Sequence, residues 1–101
     1  VNYRLHIIEV RQTAVFAKWH KSLKDKKAAE IIARRIVRVQ SGLMGDVKVF
    51  DGIGELRVDY GPGYRVYFVQ RGNVLIVLLC GGDKGSQDRD IAKAKQMAKE
   101  I

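Results

Sequence analysis

The chain carries one cysteine, one proline and two histidines in 101 residues, and each scarcity removes a class of explanation. A lone Cys80 forms no internal disulfide, which fits a reducing compartment and points to the cytoplasm. With Pro62 as the sole proline, rigid Pro-rich linkers and docking segments are excluded. His6 and His20 lie in separate segments, neither with a companion at ligand spacing, so no metal site is expected. The longest aliphatic run, Val74 to Leu79, falls far short of the roughly 20 residues that cross a bilayer, and no membrane association is expected. The N-terminus alternates polar and apolar residues where a signal peptide would have an apolar core. There are no repeats and no low-complexity stretches, so residues 1–101 read as one domain.

Positive charge is what the chain has in excess. Nineteen Lys and Arg against eleven Asp and Glu give a formal +8 and an isoelectric point near 9.9. Such a surface collects polyanions, because each phosphate it neutralises releases bound counterions. Charge of this size also serves solubility, and an acidic protein would satisfy it equally. An isoelectric point above about 9 favours a nucleic-acid partner.

The apolar periodicity changes along the chain. Tyr3, Leu5 and Ile7 alternate with Arg4 and His6 as in a strand. Thr13 is a candidate N-cap for a helix that puts Val15 or Phe16, Trp19 and Leu23 on one face. Asp25 then caps a second helix with the stripe Ala29, Ile32, Ile36, Val39, ended by Gly42. The outer face of this helical hairpin is basic: Lys21, Lys24, Lys27, Arg34, Arg35 and Arg38. After Gly45 the period drops to two. Val47–Val49, Glu55–Tyr60 and Tyr64–Arg71 read as strands, with Gly61-Pro62-Gly63 and Gly72-Asn73 as turns. The unbroken apolar run Val74–Leu79 reads as a strand covered on both faces. Gly81 to Ser86 leads into a last helix, with Ser86 as N-cap and Ile91, Ala94, Ala98 and Ile101 as its buried stripe. The expected fold is α+β, in the order β-α-α-β-β-β-β-α, with a largely antiparallel sheet, an N-terminal helical hairpin and a C-terminal helix.

Pairing Tyr60 with Tyr64 across the Gly-Pro-Gly turn sets Asp59 opposite Arg65 and Arg57 opposite Tyr67, all on one face. Lys48 sits on a neighbouring strand. Guanidiniums bind phosphate and a nearby phenol ring stacks on a base; a solvated face with an Asp59–Arg65 pair has the same pattern. The loop before the last helix suits an anion at a helix N-terminus, with Lys84 beside it, and equally suits a plain capping turn. It lacks the Gly-Lys-Ser/Thr spacing of a nucleotide-binding loop. Cys80, at the end of an apolar strand, reads as a core thiol.

Together, Gly45-Asp46-Val47-Lys48, Glu55-Leu56-Arg57-Val58-Asp59-Tyr60, Gly61-Pro62-Gly63-Tyr64-Arg65-Val66-Tyr67-Phe68 and Gly81-Gly82-Asp83-Lys84 resemble the RelE/ParE toxin superfamily. The closer similarity is to its HigB-like addiction module killer proteins, over essentially the whole chain. The resemblance implies a RelE-like fold and a toxin of a type II toxin–antitoxin pair, silenced by a cognate antitoxin protein. It also implies cleavage of mRNA on the ribosome, with neither metal nor cofactor, by attack of a 2′-hydroxyl on the neighbouring phosphate. Arg65 matches the sheet arginine at the scissile phosphate, Arg57 and Lys48 lie on strands that supply further cations, and Lys84 lies near a second phosphate contact. Tyr67 and Arg89 join Arg57, Arg65 and Lys84 as expected RNA contacts. RelE-like enzymes often carry a tyrosine or histidine at the start of the last helix, whereas here Gln87, Asp88, Arg89 and Asp90 fill it. Asp90 is then the candidate proton-transfer group, although a carboxylate at a helix N-terminus is a weak base. That departure leaves open a ParE-like inhibitor of DNA gyrase acting by binding alone, and a basic, DNA-associated regulator.

Overall fold

The computed structural model describes residues 7–101. Of the expected first strand, Tyr3 to His6 lie outside the described residues, and the described strand β1 begins later, at Glu9–Gln12. The order continues with α1 (Ala14–Ser22), α2 (Lys26–Gln40), β2 (Val47–Phe50), β3 (Ile53–Val58), β4 (Tyr64–Arg71), β5 (Leu75–Asp83), a 3-10 turn (Lys84–Ser86) and α3 (Gln87–Lys99). The strands form one sheet in the order β1-β5-β4-β3-β2. β1 runs parallel to β5, and the other pairs are antiparallel. The α+β architecture expected from the periodicity is present.

Local chemistry sets the helix ends. Thr13 Oγ1 accepts the Phe16 N–H at 3.1 Å, and Asp25 Oδ1 accepts those of Lys27 and Ala28 at 3.0 and 3.1 Å, satisfying donors that the first turn leaves unpaired. At the other end of α2, Gly42 adopts φ 84°. Its N–H donates to Val39 and that of Leu43 to Arg38, a Schellman closure for which glycine is suited. Phe16, and not Val15, is the buried member of α1; truncating so enclosed a ring costs about 3–5 kcal/mol.

The sheet is covered on both faces. On one, Phe16 of α1 with Ile32 and Val39 of α2 pack against Leu56, Val66, Phe68, Ile76 and Leu78. On the other, Ala94 of α3, flanked by Ile91, Met97 and Ala98, packs against Ile53, Tyr67, Val69, Val77 and Leu79. Ile101, expected in that stripe, lies past the helix end and is exposed. The register slips between Tyr67 and Phe68, where Leu79 is the extra residue of a bulge, so Leu79 and Cys80 both join the α3-side core. Cys80 is a core thiol as expected, and burial raises its pKa to about 11.

Three expectations are corrected. The last strand does not stop at Leu79 but runs through Gly81 and Gly82 to Asp83. Packing requires both glycines: a Cβ on Gly81 would enter the Trp19 ring, and one on Gly82 would enter the Asp90 carboxylate. Second, Ser86 takes the N-cap position of α3 as expected, but the side-chain cap belongs to Asp83 at the head of the 3-10 turn, whose Oδ1 accepts from Gly85 and Ser86 while its own N–H donates to Ser86 Oγ. Ser86 itself makes no side-chain cap to α3. Third, Arg35 does not belong to the solvated basic face. Its guanidinium turns inward and donates to the carbonyls of Arg57, Met44 and Asp46 at 2.7, 3.2 and 3.4 Å, and burial lowers its pKa.

Candidate functional site

The hairpin of β3 and β4 has a different register from the one expected. Val58, not Tyr60, pairs with Tyr64, which brings Arg57 opposite Arg65 and Glu55 opposite Tyr67. The turn explains the difference. The Tyr60 N–H donates to Val58 O at 3.0 Å and the Gly63 N–H to Tyr60 O at 3.1 Å, so Asp59 and Tyr60 join the loop. Gly61 and Gly63 take φ 57° and 82°, which only glycine adopts freely. A slip of two residues keeps every side chain on its own face. It replaces the expected Asp59–Arg65 pair by two arginines side by side, an arrangement that destabilises a sheet unless negative charge meets it.

Three of the expected cations converge there. Arg57, Arg65 and Lys84 line one open cleft of about 520 Å³ together with Asp46, Asp59 and the Gly61-Pro62-Gly63 turn. Arg57 is anchored through Nε and Nη2 to Asp46 Oδ1, at 3.2 and 2.8 Å. Arg65 folds back on the turn, its Nη1 donating to Gly63 O at 3.0 Å, while its buried Nε has no partner among the described residues. Lys84 enters from the 3-10 turn that Asp83 caps. The result is a concave, solvent-open wall of two anchored guanidiniums and one ammonium, suited to an anion such as a phosphodiester.

The remaining expected residues are placed elsewhere. Lys48 shares the sheet face, opposite Glu55, but its ammonium lies over the Phe50 ring at 5.5 Å and does not line the cleft. Arg89 is highly exposed and lines an adjoining hollow of about 450 Å³ that shares Lys84 with the cleft. Asp90 is only 7% exposed and accepts the Ser86 hydroxyl beneath the start of α3. Tyr67 is fully buried, which leaves no ring face for a base. Its phenol donates to Glu55 at 3.0 Å; burial first, then that hydrogen bond, hold its pKa far above the usual phenol value, so it is no ready proton donor or acceptor.

Sequence reasoning missed the support beneath the cleft. Glu55 is 1% exposed and receives Tyr67 and the Gln87 side-chain amide, the latter at 2.9 Å. A buried carboxylate without such donors would cost several kcal/mol. Arg35 likewise binds the backbone around Asp46, and a Cβ on Gly45 would come within 2.8 Å of its guanidinium. One signal in the sequence hinted at Glu55: the alternation Ile53, Glu55, Arg57 puts polar residues on a face that Ile53 shows to be packed.

A protein of Haemophilus influenzae (strain ATCC 51907 / DSM 11121 / KW20 / Rd), described as an uncharacterized protein, is 50% identical to the chain over 95 residues, covering 93% of the chain and 96% of that protein. No family model matches.

Proposed function

The chain belongs to one family with that Haemophilus influenzae protein, and we propose that it is an endoribonuclease toxin of a type II toxin–antitoxin pair. In this reading it has a RelE-like fold, cuts mRNA on the ribosome in the cytoplasm with neither metal nor cofactor, and is neutralised by a cognate antitoxin. The observation that carries it is the direct opposition of Arg57 and Arg65 on one sheet face, with Lys84 completing the same cleft. Asp46 offsets the charge of Arg57 alone, so the cleft keeps an excess of positive charge that an anion would offset. Attack of a 2′-hydroxyl on the neighbouring phosphate passes through a dianionic phosphorane, so preorganised cations stabilise the transition state more than the ground state. Arg65, clamped by the turn, keeps its geometry while the charge develops; Arg57, held on Asp46 through Nε and Nη2, turns its remaining nitrogen to the phosphate.

Inducing the protein in cells and mapping mRNA 5′ ends tests the reading. Codon-phased cuts are expected, and Arg65→Ala should lower cutting about 10²- to 10³-fold and relieve growth arrest with the fold unchanged. Undiminished cutting by that variant would remove Arg65 from its role. Intact mRNA with poisoned DNA supercoiling would replace the nuclease by a gyrase inhibitor.

A further inference from the structure

Resting on the nuclease reading, we propose that Asp59 is the proton-transfer residue of the cleft, accepting the proton of the attacking 2′-hydroxyl. The start of α3 offers neither tyrosine nor histidine, and the carboxylates around the three cations are committed, with one exception. Asp46 binds Arg57. Glu55 is buried between Tyr67 and Gln87, Asp83 caps the 3-10 turn, and Asp90 accepts Ser86 in the core. Asp88 lines the adjoining hollow instead. Asp59 is exposed, lines the cleft beside Arg57, Arg65 and Lys84, and among the described residues makes no side-chain hydrogen bond or ion pair.

Its position is also fixed. The Tyr60 N–H to Val58 O bond places Asp59 at the apex of a three-residue turn, directly after the strand that holds Arg57. The Tyr60–Gly63 turn closes the other side, so the backbone sets the root of the side chain at the cleft while its carboxylate has no partner to leave. In the step itself, the 2′-oxygen bonds to phosphorus as its proton passes to Asp59. The P–O5′ bond breaks, and the departing 5′-oxygen takes a proton from water in the open cleft. Asp59 returns its proton to solvent, leaving a 2′,3′-cyclic phosphate and a 5′-hydroxyl. No oxidant or metal enters the balance.

Single-turnover cleavage of ribosome-bound mRNA by the full chain, measured across pH, tests the assignment, alongside binding of a 2′-deoxy analogue that cannot be cut. Asp59→Asn should slow cleavage about 10²-fold or more and abolish the acidic limb of the rate profile, with binding of the analogue retained. The groups facing Asp59, namely Arg57, Arg65, Lys84 and Asp46, remain in place in that variant. Asp59→Glu should restore part of the rate, and circular dichroism should be unchanged in both. If the wild-type chain cuts and Asp59→Asn cuts at the same rate with the same profile, the assignment alone falls. If the wild-type chain leaves ribosome-bound mRNA intact, the nuclease reading falls and Asp59 with it.

Discussion

Tyr67 and Glu55 are joined by a buried hydrogen bond of 3.0 Å, and their titration is tied to the fold. Burial and the Glu55 carboxylate both oppose loss of the phenolic proton, so the folded-state pKa of Tyr67 lies well above the roughly 10 of an unfolded tyrosine. The folded state therefore binds the proton more tightly than the unfolded one. The stabilisation is complete below about pH 10 and is lost as pH rises from there through the folded value. In an alkaline titration followed at 295 nm, Tyr67 should ionise last, together with the loss of near-ultraviolet dichroism. Tyr67→Phe should remove that final component and cost about 1–3 kcal/mol, because Glu55 loses a donor in the core. Ionisation of Tyr67 near pH 10 with the dichroism intact would contradict the geometry. At this scale the sequence was half legible. Alternation placed Tyr67 on the face of Arg57 and Arg65; its burial was hidden, since which stretch of a sheet face a distant helix covers has no local signature.

β5 shows the same limit for an element. Its apolar run was plain in Val74–Leu79, yet the strand continues through two glycines that composition reads as a loop. Both are glycine because another side chain occupies the space of theirs: Trp19 of α1 above Gly81, and Asp90 of α3 below Gly82. The sheet is thus pinched between two helices at the point from which the cleft begins. Gly82→Ala should push the Asp90–Ser86 pair aside, tilt the start of α3 and destabilise the fold by about 1–3 kcal/mol. Chemical denaturation measures that cost; an alanine variant as stable as wild type would show that α3 yields freely. The β3–β4 hairpin was misread for a related reason. A Gly-Pro-Gly signal locates a turn, but the loop length depends on whether Tyr60 bonds across the strands or back to Val58, and the face pattern is identical in either case. Helix caps, by contrast, rest on contacts within three residues, and Thr13 and Asp25 were legible without the rest of the chain.

Across the whole molecule, the +8 charge divides into two unlike sets. Lys21, Lys24, Arg34 and Arg38 stand exposed on the helical hairpin covering one face of the sheet, while Lys27 lies over the Tyr60 ring beside the turn. Arg57 and Arg65 belong to the other face, where they meet Lys84. Solvent-exposed charges separated by more than a Debye length, about 8 Å at physiological salt, act through a field that salt screens. The helical set should therefore speed encounter with RNA without touching the reacting phosphate. Replacing Lys21, Lys24 and Arg38 together by alanine should weaken RNA binding at low salt and flatten its salt dependence. The loss should shrink as salt is raised, and the single-turnover rate at saturating protein should stay near wild type. Arg65→Ala should behave oppositely, reducing the slope of log K against log salt by about 0.7–1 while depressing the saturated rate at every salt concentration. Binding and cleavage measured from low to high salt separate the two sets. If the triple variant loses its saturated rate as Arg65→Ala does, the RNA path must cross the helical hairpin, and the division of the charge between the two faces fails.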